Sequence, residues 1–178
     1  MNRADLIGAR FMNARLDGAG LAGSELTRAD FSHSRLKDAN LSRSDAGEAV
    51  FDNALMSGVK ATALNLVEAS LKHVNLERAD LSYVNARRAI FRNAKMDHGV
   101  FRGTRFSGGN LNGAVLYGSD LRDAHFIDAF LQGADLRNAD LTDARLRGAR
   151  LRGAKFNAAT SLPFSDQEAR NRGMVFVE

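Results

Sequence analysis

Every fifth residue from Leu6 to Phe156 is apolar, and the beat is never lost over 31 consecutive units. Eighteen of these central positions are Leu, eight Phe, two Met and three Ala, so no polar residue intrudes. Two residues ahead of each stands a small residue, Ala in 20 of the 31 units and Ser, Val, Gly, Thr or a single Leu64 in the others. The remaining three positions are mostly Asp, Asn, Arg, Ser, Gly and Thr.

A period of five fits neither regular element. Five residues of α-helix turn through about 500° and would scatter the leucines around the cylinder. A flat strand has a side-chain period of two and would send successive ones to opposite faces. The pattern closes only if the chain bends at a fixed place in every unit, each unit becoming one short wall of a tube. The central residue and the small one then face inward, and the other three face water. Asn, Asp and Gly suit the corners because they tolerate turn dihedrals. Eleven units carry Gly two residues after the centre, among them Gly18, Gly58, Gly103, Gly133 and Gly148.

Units such as Ala-Asp-Leu-Arg-Asn (134–138), Ala-Asp-Leu-Thr-Asp (139–143) and Ala-Asn-Leu-Ser-Arg (39–43) resemble the A(D/N)LXX consensus of the pentapeptide-repeat family, over residues 4–158. The resemblance implies an all-β fold, a right-handed quadrilateral parallel β-helix of four units and 20 residues per coil. About eight coils follow, a tube ~37 Å long at ~4.8 Å per coil. The β-helix is assigned to residues 1–158 and a cap to 159–178. Ala46, Ala61 and Ala86 leave the interior short of volume, and Leu64, Val59, Val74 and Val84 are expected to fill it.

A stacked tube has open edges at both ends. After Phe156 the repeat decays, Pro163 breaks the chain, and Ser165-Asp166-Gln167-Glu168 reads as a capping box opening a short helix that Gly173 ends. The tail Met174, Val175, Phe176 and Val177 is too apolar to float in water. Two placements suit it: back on the last coil, or against the same tail of a second chain. The resemblance favours the second, a homodimer. The N-terminal end begins its repeats by Ala4 with no leading helix, so the first coil is blunted by its charges or meets another molecule.

The chain has no Cys, which excludes disulfides and thiolate metal sites. No apolar run approaches the roughly 20 residues of a membrane span, and no signal-peptide pattern opens the sequence. A cytoplasmic setting is expected. His33 and His73 fall on one wall two coils apart, roughly 10 Å, too far to share a zinc ion at ~2 Å bonds. No nucleophile motif or Gly-rich phosphate loop is present, so no catalytic residue, metal or cofactor is expected.

Charge is the more informative signal. Residues 1–80 carry 10 basic and 11 acidic groups, residues 81–178 carry 15 and 10, and the net charge is +4. The densest basic stretch holds Arg145, Arg147, Arg150, Arg152 and Lys155 on three walls of the last coil. The residue before the centre, taken every 20 residues, gives Asp5, Glu25, Asp45, Asn65, Asn85, Arg105, His125, Arg145. Such a wall, running from acid to base, suits pairing with itself or with a partner of matching polarity. A second wall shows Val50, Ile90 and Phe130 at the same outward position, and Phe130 is expected to be exposed as a protein contact.

The expected function is that of a non-enzymatic interaction protein presenting rigid walls to a protein partner. Its candidate surface is Arg105, His125, Arg145, Arg147, Arg150, Arg152 and Phe130. The resemblance raises an alternative, a mimic of duplex DNA that binds a type II topoisomerase such as gyrase and protects it from quinolones. The basic net charge disfavours it, because such mimics imitate phosphates. Direct nucleic-acid binding through Arg145–Lys155 is not expected, for no aromatic residue is interleaved there to stack bases.

Overall fold

A computed structural model describes residues 2–178. Each unit bends in the same way. The amide three residues after the centre donates back to the central carbonyl, as Ala9 N–H does to Leu6 C=O at 3.0 Å and Ala14 N–H to Phe11 C=O at 3.0 Å. Within this turn the second residue after the centre has positive φ, 63° at Gly8, 59° at Tyr83 and 74° at Gly153. Only that residue of the turn is left-handed, which is the type II pattern and the reason glycine recurs there.

Between the turns the walls stack. Leu6 N–H donates to Glu25 C=O (2.9 Å), Gly8 N–H to Thr27 C=O (2.9 Å) and Glu25 N–H to Ala4 C=O (3.0 Å), and this set repeats unit by unit. Every parallel bridge from Asp5↔Glu25 to Asp135↔Lys155 spans 20 residues, so four units close one coil of a right-handed, four-sided β-helix. We name the walls by their first centres: wall I from Leu6, wall II from Phe11, wall III from Leu16 and wall IV from Leu21. A corner every five residues leaves room for a single bridging residue per wall. Among the described residues, paired strands longer than this occur only near the C-terminus, β1 (Lys155–Phe156) and β2 (Val175–Phe176).

One amide per unit, that of the residue just after the centre, has no carbonyl in the next coil. Asp or Asn just before the centre accepts from it: Ser32 N–H to Asp30 Oδ1 at 2.9 Å, Ser82 N–H to Asp80 at 2.9 Å, Thr142 N–H to Asp140 at 2.9 Å. This is the physical content of the recurring Asp/Asn, a local side-chain cap on an otherwise orphaned donor.

The lumen is filled by the two inward positions. Leu76, Leu116 and Leu136 are fully buried. Phe rings one coil apart stack, Phe11 on Phe31 at 4.9 Å, Phe31 on Phe51 at 5.0 Å and Phe106 on Phe126 at 5.1 Å. The undersized Ala46 and Ala86 share wall I with Leu64 and Val84, and Ala61 shares wall IV with Val59, all buried. Val74 departs from the expectation, since it heads a unit centred on Leu76. Buried hydroxyls are satisfied by carbonyls: Ser44 Oγ donates to Leu21 C=O (2.7 Å) and Thr104 Oγ1 to Leu81 C=O (2.6 Å).

At the C-terminal end the coil is spliced rather than ended. Asp140 bridges Ser161, 21 residues away, so one residue has been added before the chain leaves the stack. Helix α1 (Asp166–Asn171) follows, with Ser165 Oγ accepting from Glu168 N–H at 3.3 Å. The Glu168 carboxylate turns to Arg172. Ala169 is the buried residue of α1, and Leu162 and Phe164 pack on the core. Gly173, at φ 80°, releases the chain into β2, which lies parallel on β1 with Lys155 opposite Val175 and Phe156 opposite Phe176. The tail has therefore rejoined the stack at the 20-residue interval. Of the two placements open to it, the structure shows the one on the last coil.

At the other end Leu6, Phe11 and Leu16 are only partly buried, and Ile7 and Met12 are exposed. No helix among the described residues is long and apolar enough to cross a membrane.

Candidate interaction surface

Wall I collects most of the candidate residues because the coil repeats every 20. Arg105 bridges His125, and His125 bridges Arg145, so the three side chains rise as a ladder from one face. Arg105 and Arg145 are exposed and His125 is half-buried. Beside the ladder, in the column two residues on, stand Arg87 and Arg147, both exposed. None of these four arginines forms an ion pair among the described residues. Burial first, and then Arg145, Arg105 and Arg87, push the His125 imidazolium below the usual histidine range, against a smaller opposing pull from Asp123. Arg145 and Arg147 line a shallow recess with Ile127 and Leu146.

Elsewhere eight basic residues are answered by a carboxylate within the chain. Arg35 pairs with Asp17 at 3.0 Å, Arg102 with Asp123 at 3.2 Å, Arg122 with Asp120 at 2.6 Å and Arg137 with Asp135 at 2.6 Å. Hydrogen bonds from Arg122 and Arg137 hold the Asp120 and Asp135 carboxyls below the usual carboxylate range. The rungs in the upper half of wall I, Asn85, Arg105, His125 and Arg145, hold no carboxylate. Its lower half carries Asp5, Glu25 and Asp45, and the corner beside it carries Glu48 and Glu68, which pair with Arg28 and Arg88. Asn85, the neutral rung below Arg105, has its Oδ1 buried without a hydrogen bond.

Wall II brings Phe130, Arg150 and Arg152 together, with one correction. Phe130 is not an exposed hydrophobe. It is half-buried, and the Arg150 guanidinium lies 4.7 Å from its ring centroid. A long cationic side chain one coil away covers an aromatic face through cation–π attraction. Val50 and Ile90 are half-buried as well. The outlying large hydrophobics are Ile7, Met12, Leu55, Tyr83, Val100 and Val175.

Three basic residues escaped the sequence reading. Arg87 belongs to the column Arg87, Ser107, Ile127, Arg147, and reading that column at the same interval as the rungs would have found it. Arg170 and Arg172 come from α1, where no repeat marks a face. The Arg172 guanidinium lies 4.4 Å from the Phe164 ring, with Nη1 donating to Leu146 C=O at 3.4 Å, and Arg170 covers Phe176 at 5.3 Å.

The tail serves its own chain. Met174 is buried, Phe176 meets Phe156 edge-on at 5.4 Å, Val177 is half-buried, and only Val175 is exposed. His33 and His73 occupy corners of wall II with φ 59° and 55°. Among the described residues no group of three His, Cys, Asp or Glu is placed to hold a metal ion.

Comparison with known proteins agrees with this geometry. The family profile described as pentapeptide repeats matches residues 1–33, 34–72, 62–97, 87–123, 100–138 and 119–157, in eight copies. Among solved structures, the chain is similar to HetL, a pentapeptide repeat protein involved in heterocyst differentiation regulation from the cyanobacterium Nostoc sp. strain PCC 7120. That likeness has 26% identity and a TM-score of 0.61, and covers 89% of this chain and 81% of HetL. The pentapeptide repeat protein Rfr23 from the cyanobacterium Cyanothece 51142 matches at 30% identity over 55% of this chain and 63% of that one, with a TM-score of 0.31. QnrB1, a plasmid-mediated fluoroquinolone resistance protein, matches at 21% identity over 97% of this chain and 89% of that one, with a TM-score of 0.34. No curated protein sequence matches the chain.

Proposed function

The chain belongs to the pentapeptide-repeat family, and from that premise we propose that it is a non-enzymatic, cytoplasmic interaction protein whose rigid walls dock a protein partner with an acidic surface. One observation carries the reading: Arg87, Arg105, Arg145 and Arg147 stand exposed and without ion pairs on one flat wall, beside Arg150 and Arg152 on the next. Backbone hydrogen bonds of every coil hold these side chains in register, so the field is preorganised and loses little freedom on docking. Unpaired, exposed cations steer acidic surfaces and lose their attraction as salt rises. HetL is described as involved in regulation of heterocyst differentiation, a role carried by a protein of this fold.

The test is capture from the native lysate by the wild-type chain and by the triple variant R105E/R145E/R147E. A specific acidic protein retained at low salt by the wild type, released by ~0.5 M salt and not retained by the variant supports the proposal. Equal retention by both chains sinks it.

Mimicry of duplex DNA toward a topoisomerase would need a carboxylate-rich face, and the upper half of wall I is cationic. A gyrase supercoiling assay with and without a quinolone addresses it directly. Neither protection nor inhibition is expected at micromolar protein.

A further inference from the structure

We infer that wall I pairs with wall I of a second copy, the two tubes antiparallel and face to face. The inference rests on the interaction reading above and names the partner of this wall. The acidic surface that meets Arg105, His125 and Arg145 is Asp45, Glu25 and Asp5 of the other copy.

Rungs along the wall are equally spaced at ~4.8 Å because each is one coil of the same parallel ladder. Turning a second copy end over end about an axis across the wall, between Asn65 and Asn85, therefore brings all rungs opposite one another at once. Asp5 meets Arg145, Glu25 meets His125, Asp45 meets Arg105 and Asn65 meets Asn85, each pair occurring twice. The next column sets Ile7 against Arg147, Thr27 against Ile127, Gly47 against Ser107 and Val67 against Arg87. The corner column sets Gly8 against Gly148, Arg28 against Asp128, Glu48 against Gly108 and Glu68 against Arg88. No like-charged pair arises in any column.

Walls II and III fail the same operation. Turned about its midpoint, wall II brings Arg10 to Arg150, and wall III, which ends on Val175, brings Arg35 to Lys155 and Lys95 onto Lys95, while wall IV, whose eighth rung is Ser161, opposes unlike charges on its rungs only at Lys60 and Asp120. Like charges brought together are the usual device by which a surface rejects a partner. Of the four faces, wall I matches the most opposite charges with itself while setting no like charges together.

A wall some eight rungs long and one short strand wide covers an area at the low end for specific interfaces. The pair is consequently weak, reversible and salt-sensitive. The ion pairs also answer Arg105 and Arg145, which the single chain leaves unpaired, and they place Glu25 against the imidazole that these two arginines crowd.

Sedimentation equilibrium on the full chain tests the inference. At ~20 mM salt and a few hundred micromolar protein the wild type is expected to dimerise, with the dissociation constant rising at least ~10-fold by ~0.3 M salt. The acid-reversed variant D5K/E25K/D45K and the base-reversed variant R105E/H125E/R145E are each expected to stay monomeric. Mixed in equal amounts they should form a heterodimer with the same number of ion pairs as the wild-type pair.

Orientation is read separately, because the chain has no native Cys. A bis-maleimide linker of ~10 Å, the separation of packed sheets, should join a Thr27→Cys chain to an Ile127→Cys chain. It should not join two Thr27→Cys chains, which the antiparallel pair holds about five rungs apart. A wild type that remains monomeric at low salt overturns the inference, as does a dimer that both reversed variants still form alone. If self-association is absent while an acidic protein is still captured, the inference falls and the interaction reading stands. If neither occurs, both fall.

Discussion

Gly99 and Phe101 share one space. A Cβ built on Gly99 would lie 2.6 Å from Cε2 of the Phe101 ring and 2.7 Å from Cζ. The small residue of this unit has given up its methyl so that its centre can be the largest side chain of the repeat. It is the converse of Leu64 and Val84, which accompany the undersized Ala46 and Ala86. Volume is thus traded between the two inward positions, wall by wall.

Gly99→Ala should destabilise the fold by roughly 1–2 kcal/mol through overpacking. Gly99→Ala combined with Phe101→Leu restores the common Ala-x-Leu unit and should recover most of that loss. Denaturant unfolding of the two single variants and the double would show a coupling of at least ~1 kcal/mol. Additive losses would mean that the two residues do not compete for the same volume.

Ala63 holds φ 57° and Gly133 holds φ 68° at equivalent corners. Nothing lies within 4 Å of a Cβ added at Gly133, so its substitution isolates the backbone term. A left-handed residue with a Cβ is strained by ~1–2 kcal/mol, offset in part by the greater freedom of glycine in the unfolded chain. Ala63→Gly is expected to raise stability by ~0.5–1 kcal/mol and Gly133→Ala to lower it by a similar amount, measured as shifts in the urea midpoint. Shifts of the same sign would contradict the corner geometry.

His125 gives wall I a pH dependence. Its folded pKa lies below the unfolded value, so the unfolded chain takes up the proton first as pH falls. Its contribution to stability is complete above about pH 6.5 and declines as pH drops through the folded pKa. Thermal melts of the wild type should lose ground between about pH 7 and pH 5 relative to those of His125→Asn. Parallel curves for the two proteins would remove the effect.

The last rung is held by Gly153 N–H to Gly173 C=O (2.7 Å), Val175 N–H to Ala154 C=O (2.8 Å) and Val177 N–H to Phe156 C=O (2.8 Å). Met174→Ala should weaken this end by roughly 2–3 kcal/mol, as a truncation at a buried site does. Contacts in a stacked repeat run only to neighbouring coils, so the loss is local. Amide exchange should accelerate at Gly153 and Val177 while Leu71 and Leu76 stay protected. Uniform acceleration along the tube would show that the cap controls the whole stack.

Much of the fold was legible because one number, five, fixes the inward positions, and its multiple, 20, fixes which residues stack. The ladder Arg105, His125, Arg145 could be written down from the sequence for that reason. Phe130 could not be read in the same way. The repeat says which residue stands above it but not that the Arg150 side chain bends over the ring. The tail was half legible. Phe156 and Phe176 are one coil apart, yet the intervening helix erases the beat, so the return of the chain to its own stack is hidden among residues that obey a different period. The Asp/Asn position was visible as a preference, and its cause emerges only when the amide after each centre is seen to lack a carbonyl in the next coil.

The constant 20-residue reach of the bridges, described above as register, also governs how the molecule comes into being. Each coil needs only the coil before it as a template, so the loop that must be closed is equally short at the eighth turn and at the second. A chain emerging from the ribosome can settle turn upon turn while its remainder is still being made. Lengthening the rod by whole coils would then leave the entropic toll of each added turn unchanged.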